Sequence, residues 1–92
     1  MKIVLQNKAN LSNKYVRFVM WKIYLLKEKF DHLKSAEIYF KKEASGKVNL
    51  TVKFGVAGED ITIKKASKNV SNLINQIYYK GHRLLNKKKG NV

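Results

Sequence analysis

Val48-Asn49-Leu50-Thr51-Val52-Lys53-Phe54 alternates apolar and polar side chains without a break, and its neighbours on either side decide the fold. A period of two puts Val48, Leu50, Val52 and Phe54 on one face of a strand and leaves Asn49, Thr51 and Lys53 for water. Ahead of it, Ala36 to Lys42 repeats the pattern with Ile38 and Phe40 on one side, and Ser45-Gly46 signals the turn between them. Behind it, Ala57-Gly58-Glu59-Asp60 reads as a hairpin loop leading to a further strand with Ile61 and Ile63 inward. The centre of the chain is therefore a three-stranded meander.

Helical periodicity frames this meander. Lys2 to Asn7 reads as one more strand, with Ile3 and Leu5 on one face, and Ser12 is the expected N-cap of a helix. Tyr15, Val19, Ile23, Leu26 and Phe30 then recur every three or four residues, the stripe of an amphipathic helix of about 19 residues and about 28 Å. At the other end Ser67 or Asn69 caps a second helix, whose stripe is Val70, Ile74, Ile77, Tyr78 and Leu85, and residues 87–92 are expected to form a frayed basic tail. The order β-α-β-β-β-α predicts one α+β domain over residues 1–92, a four-stranded sheet with two helices packed on one face and water on the other, like a double-stranded-RNA-binding domain. The first helix supplies the crossover that makes the first two strands parallel if they are neighbours.

Composition removes several classes of function. With no cysteine in 92 residues, disulfides, thiolate metal sites and thiol nucleophiles are excluded, which fits a reducing compartment. The longest apolar runs are broken by Lys22 and Lys27, well short of the ~20 residues that a membrane span needs, so a soluble chain, not a membrane protein, is expected. His32 and His82 have no second strong ligand at a helical or strand spacing, so no metal is expected. Glu59 and Asp60 are adjacent in a turn, and Ser12, Ser35, Ser45, Ser67 and Ser71 lack an activating base at a motif spacing. Gly46, Gly55 and Gly58 form no phosphate loop. A non-enzyme without cofactor or small-molecule substrate is expected.

Charge carries the functional signal. The net charge is +14, yet all six acidic residues lie between Glu28 and Asp60, where lysines balance them. Residues 1–27 carry six basic side chains and no acid, and residues 61–92 carry eight and no acid. Ends folded against one another make one strongly positive surface that attracts polyanions. On the second helix Gln76, Lys80, Arg83 and Lys87 share a face away from the apolar stripe. Cations about one turn apart, ~5.4 Å, approximate the phosphate spacing of a nucleic-acid strand. Lys88 and Lys89 extend this set, and Lys14, Arg17, Lys22, Lys27 and Lys29 add to it from the first helix. A groove between the two helices, lined by basic residues of each, is the expected RNA-binding surface.

The element order, the run Lys22-Ile23-Tyr24-Leu25-Leu26-Lys27-Glu28-Lys29-Phe30 and the segment from Leu73 to Lys87, Leu73-Ile74-Asn75-Gln76-Ile77-Tyr78-Tyr79-Lys80-Gly81-His82-Arg83-Leu84-Leu85-Asn86-Lys87, resemble the ribosome hibernation-promoting factors. The resemblance covers nearly the whole chain and is most specific at Lys80, Arg83 and Lys87. It implies that these three and Lys22 contact small-subunit ribosomal RNA in the channel for messenger and transfer RNA, occluding it and silencing idle ribosomes. It further implies a cytoplasmic, ribosome-associated protein, monomeric when free, whose partners are the small subunit's RNA and neighbouring ribosomal proteins. Two departures stand out: Asn69-Val70-Ser71 where the family commonly has Asp-Met-Tyr, and Gly81 where it has an apolar residue. Ending after the second helix, the chain looks like the short form, the ribosome-associated inhibitor of translation, without the dimerisation domain of longer relatives.

Phe18, Trp21 and Leu25, with Tyr24 nearby, fall opposite the core stripe of the first helix. Either they form a contact surface for a ribosomal protein, nucleobases or a second copy of the chain, or they fold down beside strands and loops. Two alternatives to ribosome binding follow. A generic double-stranded-RNA-binding module is loosely echoed by Lys64-Lys65-Ala66-Ser67-Lys68, although the Gly-Pro-x-His loop of such domains is absent from a chain with no proline. A self-associating structural protein would use Phe18, Trp21 and Leu25 as its interface and its charge only for solubility.

Overall fold

A computed structural model describes residues 1–90, and its elements follow the two periodicities. They run β1 (Lys2–Asn7), α1 (Asn13–Lys29), β2 (Leu33–Lys42), β3 (Val48–Val56), β4 (Glu59–Ser67) and α2 (Val70–Gly90). The sheet has the order β1-β2-β3-β4, with β1 parallel to β2 and the later pairs antiparallel. A parallel neighbour needs a crossover rather than a hairpin, and α1 supplies it. Pairing Ile38 with Val52 and Phe40 with Leu50, then Val52 with Ile63 and Phe54 with Ile61, aligns the apolar residues in rows on one face. Both helices cover that face. Val19, Ile23 and Leu26 of α1 and Leu73, Ile74, Ile77 and Leu85 of α2 are buried against it.

Three boundaries differ from expectation. β2 starts at Leu33 rather than Ala36, and a bulge between Leu33 and Ser35 lets Leu33 and Ala36 both face inward although they are three residues apart. The last hairpin turns on Ala57 and Gly58 alone. Gly58, at φ 77, takes the left-handed conformation that a tight turn needs, so Glu59 and Asp60 belong to β4, paired with Val56 and Gly55. At the other end, Lys87 to Gly90 continue α2 instead of forming a separate tail, while Asn91 and Val92 lie outside the described residues.

Gly81 accounts for how closely α2 sits on the sheet. It is buried, and a Cβ built there would lie 3.1 Å from Cε2 and Cζ of Phe54 and 3.4 Å from Cδ1 of Leu26. Giving up an apolar side chain at this position lets the backbone of α2 approach the Phe54 ring. Below it, Phe30 meets His82 edge-on at 5.0 Å between centroids and His32 at 5.8 Å, and His32 Nε2 is 3.1 Å from the Leu85 carbonyl oxygen. Both imidazoles are thus built into the seam between α2 and the loop after α1. Among the described residues no group of three His, Cys, Asp or Glu side chains is placed to hold a metal.

Candidate nucleic-acid interface

α2 begins where Asn69 accepts a hydrogen bond from the Asn72 amide at 3.0 Å, and Ser67 accepts one from the Asn69 amide at 3.1 Å. From that start, the helical repeat carries Gln76, Lys80 and Arg83 to the flank facing β4. There they meet Lys65. Lys65 continues the inward set Ile61, Ile63 by two residues and pairs across the ladder with Leu50, but β4 is an edge strand, so its side chain leaves the core for the rim. Lys65, Gln76, Tyr79, Lys80 and Arg83 line a recess of about 310 Å³. Among the described residues no carboxylate forms an ion pair with Lys65, Lys80 or Arg83. Three unneutralised cations around one concavity is the arrangement that a phosphate group stabilises.

The end of α2 has a different electrostatic character. Lys88 reaches across to β4 and pairs with Glu59, and a second recess is lined by Glu59, Asp60, Ile61, Leu84, Lys87 and Lys88. Lys87, exposed, therefore stands near two carboxylates, unlike Lys80 and Arg83. The side chain of Lys89 lies outside the described residues.

The basic residues of α1 do not join those of α2 in one groove, which corrects the expectation of a shared basic groove between the helices. The side of α2 turned toward α1 carries Tyr78 and His82. Lys22 Nζ lies 4.5 Å from the Tyr78 ring centroid, 5.1 Å from that of Trp21 and 5.5 Å from that of Phe18. The seam between the helices is thus one cation among aromatic rings, while Lys80 and Arg83 face β4. Lys14 lies over Tyr15 at 4.9 Å, and Arg17 and Lys29 are exposed. Lys27 donates to the carbonyls of Asp31 and Leu33 at 3.0 Å each, fastening the loop after the helix.

The expected apolar patch is broken up in the same way. Phe18 is half-buried on the rim of the core, Leu25 is half-buried, and Trp21 remains 56% exposed with Tyr24 at 52%. The most exposed ring is one that the pattern of apolar residues did not single out, Tyr79 at 68%. Lys65 was also missed as a site residue. Its signal lay in the sequence as a lysine at the third inward position of a strand after Ile61 and Ile63.

The chain is similar over nearly its whole length to solved structures. A ribosomal subunit interface protein from Coxiella burnetii superposes with a TM-score of 0.83 at 16% identity, covering 98% of this chain and 99% of that one. The Protein Y N-terminal domain from Thermus thermophilus gives a TM-score of 0.73 at 13% identity, covering 94% of this chain and 93% of that one. The resemblance drawn from Lys22–Phe30 and Leu73–Lys87 is borne out at the level of fold. No family model and no curated protein matches the sequence. Among the described residues, no helix is long and apolar enough to cross a membrane.

Proposed function

We propose that this chain is a ribosome-binding factor of the hibernation-promoting kind, which seats the unpaired cations of α2 on small-subunit ribosomal RNA and so blocks the channel used by messenger and transfer RNA. The observation that carries this is the acid-free convergence of Lys80 and Arg83 with Lys65 on one flank of α2. Likeness of fold to a ribosomal subunit interface protein supports it. Lys22, Lys14, Arg17, Lys29 and Lys87 are proposed as peripheral phosphate contacts. Lys27 and Lys88 contribute less, because backbone carbonyls and Glu59 respectively already engage them. The protein acts by binding, in the cytoplasm, as a monomer when free, and it needs no cofactor.

The test is co-sedimentation with separated small subunits, large subunits and whole ribosomes across a salt series, with duplex RNA as competitor. Stoichiometric binding to small subunits that resists the competitor, weakens steeply with salt and inhibits translation is expected. Lys80→Glu with Arg83→Glu is expected to abolish it in a folded protein. Full co-sedimentation of that double variant would remove these residues from the site. Competition by duplex RNA would favour a generic duplex-binding module, and no binding at all would favour self-association.

A further inference from the structure

We infer that the recess between α2 and the edge of β4 receives a single unpaired nucleotide of an RNA strand, its phosphate among Lys65, Lys80 and Arg83 and its base stacked on Tyr79. This rests on the reading of α2 as an RNA-binding face and adds to it which form of RNA the face selects.

Three features point to a nucleotide rather than to phosphate alone. The recess joins cations to an aromatic ring and a carboxamide, Tyr79 and Gln76, which are the groups that bind the two halves of a nucleotide. Tyr79 is 68% exposed, so the core does not account for it. Its ring packs at 71° against Tyr78, 5.5 Å away between centroids, and Tyr78 is in turn contacted by Lys22, which leaves the rest of the Tyr79 ring open to a base. At about 310 Å³ the recess falls at the lower end of small-ligand sites, roughly 300–1,000 Å³, room for one nucleotide. Paired bases hide their faces in the stack, so only an unpaired base can lie on Tyr79. The Gln76 amide can then donate to and accept from the base edge, and Lys65 fixes the strand's path by holding the phosphate from the sheet side.

The test compares binding of hexaadenylate RNA with that of an abasic ribose-phosphate hexamer of the same charge, by fluorescence anisotropy of an end label at low salt. The wild type is expected to prefer the hexamer with bases by about ten-fold, the scale of one base–aromatic stack. Tyr79→Phe keeps the preference, and Tyr79→Leu, at an exposed position that does not endanger folding, removes it. Lys65→Gln weakens both oligomers alike. Equal binding of the two oligomers by the wild type, or a preference that survives in Tyr79→Leu, would overturn the inference. Sedimentation of the same proteins with small subunits separates the two levels. A wild type that discriminates the oligomers but ignores small subunits defeats the ribosome reading and keeps the nucleotide site, and one that sediments without discriminating does the reverse.

Discussion

Lys22 Nζ stands 4.5 Å from the centre of the Tyr78 ring, and this pair ties the outer edge of α1 to α2. The amine is also within 5.5 Å of two further ring centroids, Trp21 and Phe18, so its stem lies along aromatic carbon while its charge remains near solvent. A cation–π contact at such a site is worth about 0.5–1 kcal/mol. Lys22→Met and Tyr78→Leu are each expected to lower stability by at least that amount in urea titrations. The double variant should lose less than the sum, because the shared contact can be lost only once. Additive losses would show that the two side chains are neighbours without coupling. Lys22 therefore acts on the fold, and charge reversal there cannot be read as a binding defect alone.

Gly81 poses a contest between backbone and packing. Replacing a mid-helix glycine with alanine gains about 0.8–1 kcal/mol of helix propensity. At this position the new methyl group meets Cε2 and Cζ of Phe54 at 3.1 Å, closer than ordinary carbon contact, and the ring must give way. Gly81→Ala is expected to stay within about 1 kcal/mol of wild type in urea, whereas Gly81→Leu loses at least about 2 kcal/mol. Phe54→Leu alone opens a cavity, yet in the Gly81→Ala background it should cost measurably less. An equal cost of Phe54→Leu in both backgrounds would remove the steric account.

Capping separates what a residue type suggests from what its side chain does. Ser12 occupies the N-cap position of α1, with φ −66 and ψ 158, but makes no side-chain capping hydrogen bond. Asn69 does cap α2, accepting from the Asn72 amide. Asn69→Ala is expected to cost about 1 kcal/mol and Ser12→Ala only a few tenths, measured by thermal or urea unfolding. Equal costs would mean that the Ser12 hydroxyl caps in solution after all.

The same contrast explains how much of this protein could be read from its sequence. Alternation from Val48 to Phe54 and the stripe Val19, Ile23, Leu26 place the sheet and α1 because burial of one face forces a period on the chain. The candidate site was legible at Gln76, Lys80 and Arg83, whose spacing along one helix is a local property. Lys65 joins them through the edge position of β4, and Tyr78 rather than a lysine faces Lys22 through the angle at which α2 settles on Phe54. Both are products of tertiary packing, which no window along the sequence contains. The start of β2 at Leu33 escaped for a related reason, since a bulge breaks the period of two.

On the open face of the sheet, the Tyr39 hydroxyl donates to Glu37 Oε1 at 2.8 Å, and Lys53 bridges Glu37 at 3.9 Å and Asp60 at 3.4 Å. The hydrogen bond to Glu37, with some desolvation and the repulsion of its carboxylate, raises the Tyr39 pKa above the ordinary 10.0. A raised pKa in the folded state favours the protonated form. Its contribution to stability is therefore fully present below pH 10.0 and is lost as pH climbs through the higher folded value. In an NMR titration Tyr39 is expected to ionise later than in Glu37→Gln. Identical titration in the two proteins would show that Glu37 does not hold the hydroxyl.

Glu59 and Lys88 give the sharpest test of which cations remain available to RNA. Lys88 is engaged by Glu59 across the α2–β4 junction, whereas Arg83 has no carboxylate partner among the described residues. Each phosphate contact made by a free cation adds a little under one unit to the slope of log affinity against log salt. Arg83→Ala is expected to reduce that slope by about one for RNA binding, and Lys88→Ala by clearly less. Glu59→Gln releases Lys88 and removes a repelling charge, so it should strengthen binding and steepen the slope. Because the pair is largely exposed, it should change stability by less than about 1 kcal/mol. Equal slopes for Arg83→Ala and Lys88→Ala would mean that the Glu59 pair opens on binding, and that the cationic face of α2 extends one turn further than the free protein presents.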